Sequence, residues 1–125
     1  MIVGIVGSRD FTDYAYFTKI VSVIPISLIV SGGAIGADSL AERYSIELNI
    51  PLVKHKPNWD MFGKAAGMIR NKLIVDQSEL VIAVWDDKSR GTKHLIDITT
   101  KANKKLIIVH YPTKLIDFIN MGDLK

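Results

Sequence analysis

Ser31-Gly32-Gly33-Ala34-Ile35-Gly36-Ala37-Asp38 is the stretch on which the reading of this chain turns. It follows the apolar run Leu28-Ile29-Val30 and leads into a helix-period segment from Ser39 to Leu48. A buried strand, a glycine turn and a helix start therefore follow one another directly. Glycine at 32 and 33 permits positive φ and close approach of a ligand to the backbone. The first N–H groups of the next helix have no intrahelical acceptor, and they carry the positive end of the helix dipole. Such a turn is a seat for a phosphate or carboxylate, or simply a tight strand-to-helix connection. Asp38 falls in the first helical turn, where it either bonds N–H groups or accepts from a ligand hydroxyl.

The same pattern recurs on either side. Residues 2–6 form an apolar run that ends in Gly7-Ser8-Arg9-Asp10, with a helical pattern beginning at Thr12-Asp13. Residues 80–85 form another, followed by Asp86-Asp87-Lys88-Ser89-Arg90-Gly91-Thr92 and a helix reaching Lys101. In an open parallel sheet such junctions all lie at the carboxyl ends of the strands, where ligands bind. Three polar loops converging on one edge point to one shared site.

The remaining elements complete an alternating order. A helix from Thr12 to Val23-Ile24 is capped by Asp10 or Thr12, stopped at Pro25, and lined by Tyr16, Ile20 and Val23 or Ile24. Leu40, Ala41, Tyr44 and Leu48 recur at helical spacing, and Asn49 ends that helix. Ile50 to Val53 reads as a third strand with Pro51 at its start. Lys54 to Gly63 is polar and proline-broken and reads as a loop; its Trp59 either covers the core edge or stacks on a planar base. Lys64 to Asp76 is a helix in which Arg70 and Asn71 form either a solvated face or a polar pair for a ligand. Leu106 to Val109 is a fifth strand, and Leu115-Ile116-Phe118-Ile119 reads as a short helix packed on the sheet or on a second copy. This order predicts an α/β, Rossmann-like single domain over residues 1–125. Its sheet is five-stranded and parallel, with helices on both faces.

Composition narrows the function. A chain of 125 residues suits one domain, and the absence of cysteine excludes disulfides and thiolate metal sites. His55, His94 and His110 match no metal-ligand spacing, so no metal site is expected, and His94 reads as a helix-surface residue. A net charge of +3 favours an anionic ligand mildly and is far from that of a dedicated DNA binder. No stretch has the length of a membrane span or the form of a signal peptide, which predicts a cytoplasmic protein.

Taken together, five stretches resemble the SLOG superfamily, and more narrowly its YspA/YpsA-related branch of small Rossmann-like proteins, many bacterial or phage-encoded. They are Gly7-Ser8-Arg9-Asp10-Phe11, residues 31–38, Trp59 with Gly63-Lys64-Ala65-Ala66-Gly67, Arg70-Asn71, and Ser89-Arg90-Gly91-Thr92. The resemblance implies binding of a nucleotide or ADP-ribose-like signal at the strand ends, by a sensor or a sequestering protein in antiphage signalling. Gly7, Ser8 and Arg9, with Ser31, Gly32, Gly33 and Gly36, would then hold phosphate or ribose. Ser89, Gly91 and Thr92 would supply donors at another phosphate. Arg70 and Lys64 would meet charge, Trp59 would stack on the base, and Asp38, Asn71 and Asp86 would complete the polar lining. No particular cofactor is implied, and a homo-oligomer is expected from the apolar tail.

One position departs from the pattern. The related phosphoribohydrolases carry Pro-Gly-Gly-x-Gly-Thr-x-x-Glu, and Gly91-Thr92 align with its Gly-Thr, but the glutamate position is Leu95. A leucine transfers no proton and stabilises no oxocarbenium centre. The departure favours binding over N-glycosidic hydrolysis, for which Asp86, Asp87 or Asp38 would have to substitute. Single-stranded DNA binding, as in the DNA-processing protein A relatives, is disfavoured by the modest charge and by Asp86-Asp87.

Overall fold

The computed structural model describes residues 1–33 and 36–121. In chain order the elements are β1 (Ile2–Gly7), α1 (Tyr14–Val21), β2 (Leu28–Ser31), α2 (Ala37–Leu48), β3 (Leu52–Lys54) and α3 (Trp59–Phe62). A 3-10 turn over Gly63–Ala65 leads into α4 (Ala66–Gln77), β4 (Leu80–Trp85), α5 (Arg90–Lys101), β5 (Lys105–His110) and β6 (Leu115–Ile119). All six strands form one sheet in the order β3-β2-β1-β4-β5-β6. The first five run parallel, and β6 pairs antiparallel with β5.

The sheet therefore has six strands, one of them antiparallel, where the sequence reading expected five parallel ones. The tail is a strand and not a helix. Four residues separate His110 from Leu115, enough for a hairpin and too few for the crossover that a parallel strand requires. Lys114 takes φ +61° and closes that turn.

Both faces of the sheet are covered, as the βα alternation requires. On one face Phe17 and Val21 of α1 and Ala37, Ala41 and Tyr44 of α2 pack on Val3, Ile5, Ile29, Leu80 and Ile82. On the other, Ile74 and Val75 of α4 and Leu95 and Ile96 of α5 pack on Val6, Val30, Val81 and Leu106. The expected α1 stripe of Tyr16, Ile20 and Ile24 packs half-buried against this core, Phe17 and Val21 are its fully buried members, and Val23 is 81% exposed. The helix starts at Tyr14. Asp13, not Asp10 or Thr12, is its cap and accepts from Tyr16 N at 3.0 Å. Asn49 does end α2, with φ +55°. The segment around Trp59 forms a one-turn helix rather than a loop, because the Asn58 side chain caps it at Met61 N.

Strand order reverses between β1 and β4, which leave β2 on one side and β5 on the other. The crevice beyond the carboxyl ends of these two strands is the topological switch point of an open α/β sheet.

Candidate functional site

A cleft of about 690 Å³ opens at that switch point. Its walls come from Gly7, Ser8, Arg9 and Asp10 after β1, Asp86 after β4, and Ser89, Arg90, Gly91 and Thr92 at the start of α5. Trp59, Lys64, Gly67, Met68, Arg70 and Asn71 close it from α3 and α4, and Asp38, His94 and Leu95 complete it. Its size falls within the range of about 300–1,000 Å³ usual for small-molecule sites.

The joint between β1 and β4 is tight. A Cβ on Gly7 would stand 2.2 Å from Val84 O, so only glycine lets the two strands meet there. Ser8 N donates to Val84 O at 2.8 Å, and Ser8 Oγ accepts from Asp86 N at 2.9 Å. The Asp86 carboxylate accepts from Lys88 N, Ser89 N and Ser89 Oγ at 2.9, 2.7 and 2.9 Å. Burial works to raise the Asp86 pKa, but these donors together with Ser8 outweigh it and hold the group below the ordinary carboxylate value.

Ser89 stands at the N-cap of α5 with its hydroxyl committed to Asp86, so the helix start has no side-chain cap and no acidic residue in its first turn. The N–H groups of Arg90, Gly91 and Thr92 find no acceptor among the described residues. A Cβ on Gly91 would meet nothing within 4 Å.

The start of α2 is built differently. Gly32 N donates to Asp38 Oδ2 at 2.9 Å, and Arg70 Nη1 donates to Gly32 O at 3.3 Å. Asp38 is buried, so the anion beside this helix start is the protein's own carboxylate. Gly36 takes φ +77° against Ser8 O, a position no other residue fits. Ser31, Gly32, Gly33 and Gly36 therefore lie outside the cleft lining, and the first, second and last of them are buried. The Ser31 hydroxyl has no partner among the described residues. Ala34 and Ile35, quoted in the same motif, lie outside the described residues.

On the α4 side Arg70 is half-buried rather than on a solvated face, and its Nε donates to Asn71 Oδ1 at 2.9 Å. Burial pulls the Arg70 pKa down, and the nearby Asp38 charge opposes it. Asn71, itself buried, donates from Nδ2 to Gly91 O at 3.0 Å and meets His94 Nδ1 at 3.1 Å, tying α4 to the α5 start. Trp59 is 56% exposed at the rim, and a Cβ on Gly67 would stand 3.5 Å from its Cη2.

The electrostatics are one-sided. Asp10 accepts from the Tyr111 hydroxyl, Asp38 from Gly32 N, and Asp86 from its own loop. Arg9, Lys64 and Arg90 are exposed at the cleft and make no ion pair among the described residues. No group of three or more His, Cys, Asp or Glu among the described residues has metal-binding geometry.

Twelve residues singled out from the sequence thus share one cleft: Gly7, Ser8, Arg9, Asp38, Trp59, Lys64, Arg70, Asn71, Asp86, Ser89, Gly91 and Thr92. The sequence reading missed Gly67, Met68, Arg90 and His94 as lining residues. His94 was legible in principle, because it lies three residues after Gly91 and so on the same side of the helix.

A family model described as "YspA, cpYpsA-related SLOG family" matches residues 1–62. The chain is also 30% identical over 102 residues to "Gene 61 protein" of Mycobacterium phage D29, covering 77% of this chain and 72% of that one. The chain belongs to the YspA, cpYpsA-related SLOG family. Membership of this family suggests binding of a nucleotide-related ligand. The family match takes in the loop after β1, the start of α2 and Trp59; the Arg70-Asn71 pair and the α5 start lie beyond it. No solved structure matches the chain. Among the described residues no helix is long and apolar enough to cross a membrane.

Proposed function

We propose that this chain binds a phosphate-bearing, nucleotide-derived small molecule of the ADP-ribose type in the switch-point cleft and does not turn it over. The observation that carries the reading is the pairing of an uncapped α5 start with Arg9, Lys64 and Arg90, cations without an ion pair among the described residues, in a cleft whose carboxylates are already hydrogen-bonded. A helix start of this kind favours an anion, and the surrounding cations add to it. The open flank at Gly91 lets a phosphate reach the backbone. Trp59 supplies a face for the base at the rim.

The carboxylates argue against hydrolysis. The Asp86 oxygens already accept from Lys88 N, Ser89 N and Ser89 Oγ, and these donors, holding its pKa below the ordinary carboxylate value, make it a poor proton donor to a leaving group. Leu95, at the position of the hydrolase glutamate, is wholly buried.

Native mass spectrometry of the purified protein, before and after denaturation, tests the reading. Release of an intact nucleotide or ADP-ribose derivative is the expected result. A ribose phosphate beside a free base would replace binding with N-glycosidic cleavage.

A further inference from the structure

The polar chain from Arg70 through Asn71 to His94 fixes more than side-chain positions. Every link has one permitted direction. Arg70 Nε is a donor only, so the Asn71 atom it meets at 2.9 Å is the carbonyl oxygen. The Asn71 amide nitrogen therefore faces Gly91 O at 3.0 Å and His94 Nδ1 at 3.1 Å. It has two hydrogens, and the two neighbours take one each. Gly91 O only accepts, and Nδ1 receives the second hydrogen only if it carries none of its own.

This network assigns His94 the Nε2–H tautomer. Its ring is half-buried and lines the cleft, and Nε2 has no acceptor among the described residues. A wrong tautomer would set hydrogen against hydrogen at Nδ1 and leave a buried donor of Asn71 unsatisfied, which is costly.

We infer that Asn71 is a positioning residue that locks His94 as a neutral hydrogen-bond donor to the bound molecule. The ligand then presents an acceptor, an oxygen or ring nitrogen, at this point of the cleft; an amino or other donor group there is rejected. This inference rests on the proposed binding reading and adds to it a residue one turn inside the α5 start. It also assigns Arg70 a second task, since its Nε orients the Asn71 amide.

Two measurements test it. Long-range ¹H–¹⁵N correlation on the ligand-free protein reads the tautomer directly. Nε2–H is expected in the wild type, and a shift to Nδ1–H or to the doubly protonated ring in Asn71→Asp, whose carboxylate only accepts. An Nδ1–H ring in the wild type would overturn the inference whatever the ligand. Calorimetric titration with ADP-ribose and with AMP then compares His94→Gln, whose amide can still donate, with His94→Leu. We expect His94→Gln within about threefold of wild type and His94→Leu weaker by about tenfold, the worth of one hydrogen bond. Equal affinity in wild type and His94→Leu would overturn the donor role and leave the binding reading intact. Failure of the wild type to bind either probe would overturn the binding reading and the ligand contact together.

Discussion

Asp38 Oδ2 accepts a hydrogen bond from the backbone N–H of Gly32 at 2.9 Å, six residues back along the chain. The contact closes the turn between β2 and α2 from within. It also brings a carboxylate beside Arg70, whose guanidinium donates to Gly32 O. A turn whose glycine pattern reads as a phosphate seat is thus held by the protein's own anion. On the proposed reading, the helix start that meets the ligand is the next one across the switch point, at α5.

Asp38→Ala should therefore destabilise the fold by about 2–4 kcal/mol. It strands the Gly32 N–H and leaves the half-buried Arg70 without its nearest opposite charge. Urea unfolding measures this. A loss under about 0.5 kcal/mol would mean the carboxylate serves only a ligand.

The glycines divide by what surrounds them. Gly36→Ala forces a side chain onto φ +77° and within 2.3 Å of Ser8 O, so a loss above about 2 kcal/mol is expected. Gly91→Ala meets open space in a helical first turn and should leave the melting temperature unchanged or slightly raised. On the proposed reading the same methyl group weakens binding of ADP-ribose. Thermal scans of the two variants side by side separate these cases.

His110 lies between two carboxylates, with Nδ1 2.5 Å from Asp87 Oδ1 and Nε2 2.8 Å from Asp117 Oδ2. The bond to Asp87 chiefly, then that to Asp117, raises its pKa above the ordinary 6.5, against the opposing effect of burial. A raised folded-state value stabilises the fold fully below pH 6.5, and the contribution is lost as pH climbs through the raised value. Stability of the wild type should then fall between pH 6 and pH 9 more steeply than that of His110→Gln. Equal slopes in urea titrations would remove this tie between the β4–α5 loop and β6.

Leu95→Glu restores the residue of the hydrolase motif, yet the position is wholly buried beside Val6, Val30 and Ile74. An ionised carboxylate there lacks solvation, and a neutral one still displaces core packing. We expect a loss of more than about 3 kcal/mol in urea unfolding and no release of base from AMP. A stable, active variant would show that the leucine alone separates this cleft from the hydrolases.

The parallel strands were legible because buried parallel strands are continuous apolar runs and each is followed by polar turn chemistry. Leu80–Trp85 was read with its observed bounds for that reason. The tail was not, because five residues with four apolar ones carry no decisive period; the four-residue spacing after His110 held the information instead. At the site, exposed polar residues in the converging loops could be named from sequence. The roles of Gly32 and Gly36 could not, because Gly32 meets the side chains of Asp38 and Arg70 and Gly36 the backbone of Ser8 and Arg9. The bond of His94 to Asn71 was hidden for a similar reason: it spans 23 residues and two helices.

The most direct test of the central claim is a titration of ¹⁵N-labelled protein with ADP-ribose, followed by amide and indole shifts. The account predicts saturable shifts at Arg90, Gly91 and Thr92, at Ser8 and Arg9, and at the Trp59 indole, with the ligand spectrum unchanged over time. Absence of shifts at the α5 start, or shifts confined to the opposite end of the sheet, would contradict it.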